Sequence, residues 1–114
     1  MYLTEYIGEY PMVGYLKGKS YDNKKLTRFG YVTLTAKKDN MLCKRGERIP
    51  AHEFHYWESE LTGADFTAVK ASGRRWDCVF ATDTLYAGYP HFHFWANTDI
   101  AVNFYKACLR EKKV

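Results

Sequence analysis

The four histidines of this 114-residue chain fall in two short runs, His52-Glu53-Phe54-His55-Tyr56 and His91-Phe92-His93-Phe94. Histidine has an ordinary pKa of about 6.5, so it can take or give a proton near neutrality, and neutral imidazole also ligates metals. Three readings of the runs follow. As a metal site, His91 and His93 share a face of a strand, because side chains there repeat every second residue. His52 and His55 are three apart and point to opposite faces of a straight strand. They also fall one residue short of the helical H-E-x-x-H motif. No third ligand of suitable spacing accompanies either pair, so no bound transition metal is expected. As packing residues, the histidines sit among Tyr and Phe with their nitrogens satisfied locally. As acid–base groups, they take a proton from a thiol and hand it to a departing amine. The thiol is harder to place. Cys78 falls within an expected strand, and Cys108 falls on the apolar face of an expected helix, which makes it a buried core thiol. Cys43 lies in a charged loop and is the one thiol expected to be exposed. None has the strained turn that presents a nucleophile.

The elements that must position these residues are largely extended. Aromatic residues make up 18% of the chain, which favours half-buried strands over helices. Residues 28–36 alternate, with Phe29, Tyr31, Thr33 and Thr35 on one face and Val32 and Leu34 on the other, the period of a strand. Residues 49–57, 65–70 and 76–82 read as further strands, the last two joined as a hairpin by Ser72-Gly73. Residues 85–95 form another extended aromatic segment, residues 12–16 a short buried strand, and residues 37–46 a polar loop. Residues 1–7 read as the end of a helix closed by Gly8. At the other end, Ala101, Phe104, Tyr105, Cys108 and Leu109 mark one stripe of a C-terminal helix. Asn97 or Thr98 can cap its start, and Asp99 suits its N-terminal dipole, as Arg110, Lys112 and Lys113 suit the other end.

Length and composition bound the rest. The chain is long enough for one domain with a modest core. Its net charge of +4 comes from scattered pairs such as Lys24-Lys25 and Arg74-Arg75. No cation-rich aromatic stacking motif occurs, so nucleic acid is not an expected partner. No apolar run approaches the roughly 20 residues of a membrane span, and the first ten residues carry Glu5 and Glu9 where a signal peptide would be basic and then apolar. An odd number of widely spaced cysteines fits a reducing compartment. A cytoplasmic protein that does not engage membranes is the expectation.

Beyond these local readings, Ala51-His52-Glu53-Phe54-His55-Tyr56 resembles the Gly-His-Glu-Phe-His-Tyr segment of cobyrinic acid a,c-diamide synthases. Tyr89-Pro90-His91-Phe92-His93-Phe94 resembles their near-terminal Tyr-x-His-x-His-Phe segment. Met12-Val13-Gly14 and Gly30-Tyr31-Val32 fall where that family has similar stretches, and Met1-Tyr2-Leu3 resembles the residues that follow its Cys-Gly-Gly-x nucleophile motif. The likeness runs the length of the chain and matches the C-terminal half of the family's glutaminase domain. Ala51 stands where Gly is common, Trp57 where Ser is common, and Pro90 where proline is unusual.

The resemblance implies an α/β fold, part of a class I glutamine amidotransferase-like domain, with a mixed, largely antiparallel β-sheet of about six strands and a C-terminal α-helix. Residues 1–114 would be a single partial domain. It also implies a reaction, in which a cysteine attacks the glutamine amide and the ammonia released amidates carboxylates a and c of a tetrapyrrole in cobalamin synthesis. His91 matches the histidine that activates that cysteine. His93 stands where many class I amidotransferases carry an acidic third member, so a dyad is expected. His93, His52, Glu53 and His55 are secondary candidates. The nucleophile would lie just ahead of Met1, and ATP and magnesium would belong to a separate synthetase domain, since no G-x-x-x-x-G-K-[ST] loop occurs here. The chain alone is expected to be inactive. Glutamine and tetrapyrrole would be substrates only of an intact enzyme. The expected partner is a complementary N-terminal half or a second copy of the chain. A non-catalytic interaction module that kept the fold, or a histidine-based metal-binding protein, is the alternative.

Overall fold

A computed structural model describes residues 1–112. It is an α/β chain of ten strands and one helix: β1 (Thr4–Ile7), β2 (Tyr10–Pro11), β3 (Leu16–Asp22), β4 (Arg28–Ala36), β5 (Arg48–His55), β6 (Trp57–Ser59), β7 (Phe66–Val69), β8 (Arg75–Cys78), β9 (Phe80–Ala81), β10 (Tyr86–Ala87) and α1 (Thr98–Glu111). The strands form two separate four-stranded sheets, ordered β2-β1-β3-β6 and β5-β4-β7-β8, and a two-stranded ribbon of β9 and β10. The first sheet is mixed, because β1 and β3 run parallel, and the second is wholly antiparallel. The single sheet of about six strands expected from the sequence is thus replaced by two sheets and a ribbon.

The core lies on the inner face of the second sheet. Alternation along β4 sends Val32, Leu34 and Ala36 inward, opposite Ala51, Ile49 and Phe66 respectively. Leu34 sits between Ile49 and Ala68, and all three are at most 1% exposed. Removal of this much apolar surface from water is the main favourable term of the fold. The opposite face of β4 and β5 carries Phe29, Tyr31, His52 and Phe54, whose rings meet edge to face. The hairpin expected at Ser72-Gly73 forms, with β7 paired to β8 from Phe66↔Cys78 to Val69↔Arg75.

Several expected elements differ. Residues 1–7 contain strand β1, and Gly8 (φ 58°) makes the hairpin turn into β2 where a helix cap was expected. Residues 12–15 are an irregular return laid on β1, through Met12 N–H to the Glu5 carbonyl and Gly14 N–H to the Thr4 carbonyl. Its apolar side chains face outward, so it is not a buried strand. Residues 49–57 are not one strand either: the chain leaves the second sheet after His55 and joins the first at Trp57. Residues 85–95 are extended only over β10 and at a bridge between His52 and His91.

Helix α1 rests on the core by Ile100, Asn103 and Ala107, and the Asn103 side chain donates to the Leu42 carbonyl at 2.7 Å. The stripe read from sequence points the other way. Phe104, Tyr105 and Leu109 are at least half exposed, and Cys108 is exposed as well. Both faces are apolar enough to be buried, and the Asn103 bond fixes the one chosen. Asn97 holds the cap position without a side-chain cap bond, while Asp99 and Arg110 occupy the first and last turns as expected. Lys113 lies outside the described residues.

The run 76–82 breaks at Val79, a fully buried β-branched residue with φ 69°, a conformation of high cost. It is held by its N–H on the Thr62 carbonyl at 2.7 Å and by its own carbonyl accepting from Asp65 N–H at 2.9 Å. Gly63 presses on it so closely that a Cβ there would stand 2.3 Å from the Val79 carbonyl carbon. Gly63→Ala should therefore lower stability in urea by at least about 2–3 kcal/mol. Gly46→Ala, at another left-handed position with open space around it, should cost only about 1–2 kcal/mol.

Candidate functional site

The two histidine runs meet in space. His52 and His91 exchange backbone hydrogen bonds, N–H to carbonyl, at 2.9 and 2.8 Å, forming an antiparallel bridge. The rest of the His91 run is irregular, so this bridge is what lays it beside β5. Phe92 turns into the core against Tyr86, and His91 and His93 on either side of it are exposed.

His91 has one defined side-chain partner. Its Nδ1 contacts the Tyr89 carbonyl. A carbonyl only accepts, so Nδ1 carries the hydrogen, and Nε2 of the neutral ring is left with a free lone pair. That is the tautomer a proton acceptor needs. A backbone carbonyl thus orients the ring.

Tyr89 is in turn fastened from two sides. Its ring stacks on the His55 imidazole, with centroids 4.1 Å apart and planes 17° from parallel. Its hydroxyl bonds Ser59 at 2.8 Å, Ser59 bonds Ser20 at 2.7 Å, and Ser20 lies 3.3 Å from Thr4. Thr4 donates to the Met1 carbonyl at 2.6 Å. Each hydroxyl has one proton and the terminal carbonyl has none, so the chain runs in one direction from Tyr89 to Met1. Thr4, Ser20 and Ser59 are all buried. Sequence reading missed this chain, because isolated Ser and Thr residues at such separations carry no pattern. Tyr89 stood inside a recognised motif, but nothing in its spacing disclosed its role.

Met1, Tyr2, Leu16, Ser59, Tyr86 and Tyr89 line a cleft of about 260 Å³. A second cavity, of about 80 Å³, lies on the other side of Tyr89, against Arg28, Glu53, His55, Glu58, Asp77 and Cys78. Glu53 and His55 point toward the interior from β5 and its end. Glu53 is 3% exposed, and its Oε1 lies 3.4 Å from His55 Nε2. His52, by contrast, packs its ring on Phe29 and Tyr31 on the outer face and joins the site only through its backbone. The His93 imidazole has no hydrogen-bond partner among the described residues, its backbone carbonyl accepting from Ala96 N–H, and no group of three His, Cys, Asp or Glu there could hold a metal ion.

The thiols differ from their sequence reading. Cys43, expected to be exposed, is buried: Asn40 accepts from the Leu42 and Cys43 N–H groups and folds the loop inward, leaving Lys44 and Arg45 outside. Burial raises its pKa. Burial also pushes Cys78 up, to about 12, helped by the charge of Glu53. Cys108, expected in the core, is exposed. With a thiol reagent under native conditions, Cys108 should be modified rapidly and Cys43 and Cys78 only on unfolding, as read by peptide mass spectrometry.

The sequence itself was compared with known proteins. It is 36% identical to the cobyrinate a,c-diamide synthase of Clostridium acetobutylicum over 104 residues, 87% of this chain and 24% of that protein. It is 35% identical to the synthase of Caldanaerobacter subterraneus over 118 residues and to that of Archaeoglobus fulgidus over 122, in each case 26% of the relative. The chain is homologous to a segment of cobyrinate a,c-diamide synthase. It spans about a quarter of the length of these relatives. No protein-family model and no solved structure matches it.

His55 has a raised pKa. Burial alone would lower it, but the Glu53 hydrogen bond, the bond to the Trp57 carbonyl and the nearby carboxylates outweigh burial. A folded-state pKa above the unfolded value of about 6.5 adds stability that is complete below that value and is lost as pH rises through the folded pKa. The urea midpoint should therefore fall as pH is raised above about 6.5. In Glu53→Gln that dependence should flatten.

Proposed function

We propose that this chain is the C-terminal part of the glutaminase unit of a cobyrinate a,c-diamide synthase, and that His91 is its acid–base residue. One observation carries the reading. Met1–Leu3, the residues that the family resemblance puts directly after the nucleophile motif, line the same cleft as Tyr89, and the Tyr89 carbonyl orients His91. A cysteine joined ahead of Met1 would enter the cleft beside the segment that bears His91.

The chemistry follows from the tautomer. Free Nε2 takes the proton of the thiol, whose ordinary pKa is about 8.5, and so makes the thiolate that attacks the glutamine amide. The same imidazolium then protonates the departing ammonia. Hydrolysis of the resulting thioester releases glutamate. The ammonia amidates a tetrapyrrole carboxylate activated with ATP and magnesium in another part of the synthase. His93 and His52 are not needed for a proton step in this scheme: the imidazole of one has no hydrogen-bond partner among the described residues and the other packs by its ring on the outer sheet face.

The remaining glutaminase segment is the proposed partner. The exposed Phe104, Tyr105 and Leu109 on α1, and Phe29, Tyr31 and Phe54 on the outer sheet face, offer apolar surface for it or for a second copy.

The test is a replacement. The matching quarter of the Clostridium acetobutylicum synthase is exchanged for this chain, and amidation is measured with glutamine and with ammonia. The exchanged protein should use both nitrogen sources. His91→Ala should lose glutamine-dependent amidation by at least about 100-fold and keep ammonia-dependent amidation, since free ammonia bypasses the glutaminase step. Equal loss with both would assign His91 to folding or to the synthetase step.

A further inference from the structure

Glu53 and His55 present a hydrogen-bonding conflict that a proton on His55 resolves. His55 Nδ1 lies 2.6 Å from the Trp57 carbonyl, so Nδ1 holds a hydrogen. Nε2 faces Glu53 Oε1 at 3.4 Å. A neutral imidazole would then point a lone pair at a carboxylate, two acceptors with nothing between them. Bulk solvent reaches the pair little, since the Glu53 side chain is 4% exposed and that of His55 is 9% exposed. The other carboxylate oxygen, Oε2, is buried with no partner among the described residues. A proton on the imidazole, giving imidazolium facing carboxylate, removes the conflict.

The charged and titratable groups around the pair come from several elements. Arg28 on β4 stacks its guanidinium on Trp76 at 4.4 Å. Glu58 comes from β6, Asp77 and Cys78 from β8, Tyr86 from β10, and Tyr89 from the segment before His91. The carboxylates favour a proton on the imidazole, and the rise in the His55 pKa agrees.

The consequence reaches His91 through Tyr89. The His55 ring lies flat on the Tyr89 ring at 4.1 Å. A cationic imidazole is attracted to the face of a phenol ring more strongly than a neutral one. Tyr89 then offers its carbonyl to His91 Nδ1. We infer that Glu53 keeps His55 in its cationic form and that the two act as positioning residues, holding His91, through the Tyr89 ring and carbonyl, in the tautomer with Nε2 free. The catalytic importance of this arrangement rests on the reading of His91 given above; the arrangement itself does not.

Imidazole ¹⁵N NMR on the chain measures the tautomer directly and needs no activity. In the wild type, neutral His91 should be mainly the Nδ1–H form while His55 is protonated. As pH rises through the His55 titration, the ratio of Nδ1–H to Nε2–H forms of His91 should fall about fivefold, the change that a hydrogen bond of ordinary net strength controls. In Glu53→Gln the carboxylate that holds the proton on His55 is gone, so the His91 ratio should already be low over the pH range where that of the wild type is high. In Glu53→Leu the ratio should be low throughout. A His91 ratio that is constant in the wild type across the His55 titration would overturn the inference, whether or not either variant folds. Failure of the nitrogen-source assay with an intact NMR response would instead remove the catalytic role of His91 and leave the positioning chain standing.

Discussion

Two backbone hydrogen bonds between His52 and His91 join the histidine runs, and the candidate site depends on them. The segment that follows β10 is too irregular to be held by a ladder of its own. The bridge gives it one fixed point on β5, and the direction of the chain there sends Phe92 inward and leaves His91 and His93 outside. Because the bridge uses backbone groups, it frees the imidazoles. His52 spends its ring on packing, while His91 is oriented by a carbonyl two residues before it.

Around that bridge, the two sheets meet at the turn from His55 to Trp57, where the chain passes from one sheet to the other. A strand that ends at such a corner can place its last inward residues beneath a neighbouring loop. Here they are Glu53 and His55, beneath Tyr89. A carboxylate taken this far from water is costly unless it is paired, which is why its single close polar partner matters so much. Val79 lines the same cavity in a strained conformation, pinned by Gly63. Strain and buried charge thus occur together at this place and not elsewhere in the core, whose other inward residues are ordinary apolar side chains.

The comparisons and the geometry bear on different questions. Identity of about 35% to cobyrinate a,c-diamide synthases over nearly the whole chain establishes homology to a segment of those proteins. The geometry adds a site in which residues 1–4, Tyr89 and His91 are related through hydrogen bonds.

The sequence by itself determined what depends on local period and on residue type. The alternation of residues 28–36 fixed a strand with Val32 and Leu34 inward, Ser72-Gly73 fixed a hairpin, and the two histidine runs carried the resemblance to cobyrinate a,c-diamide synthases. It also fixed that a helix forms at the C-terminus, since apolar residues recur there at helical spacing. Which face of that helix is buried was decided by tertiary contact: a single bond from Asn103 to Leu42 and the fit of Ile100 and Ala107 put Phe104 and Cys108 outside. The same is true of Cys43, drawn inward by the Asn40 turn, and of residues 1–7, which became a strand because β2 and β3 were available to pair with them. The hydroxyl chain from Tyr89 to Met1 and the pairing of Glu53 with His55 under Tyr89 are of this second kind. Hydrogen bonds between residues far apart in the chain leave no periodic trace, because what selects them is the distance between atoms after the sheets have packed.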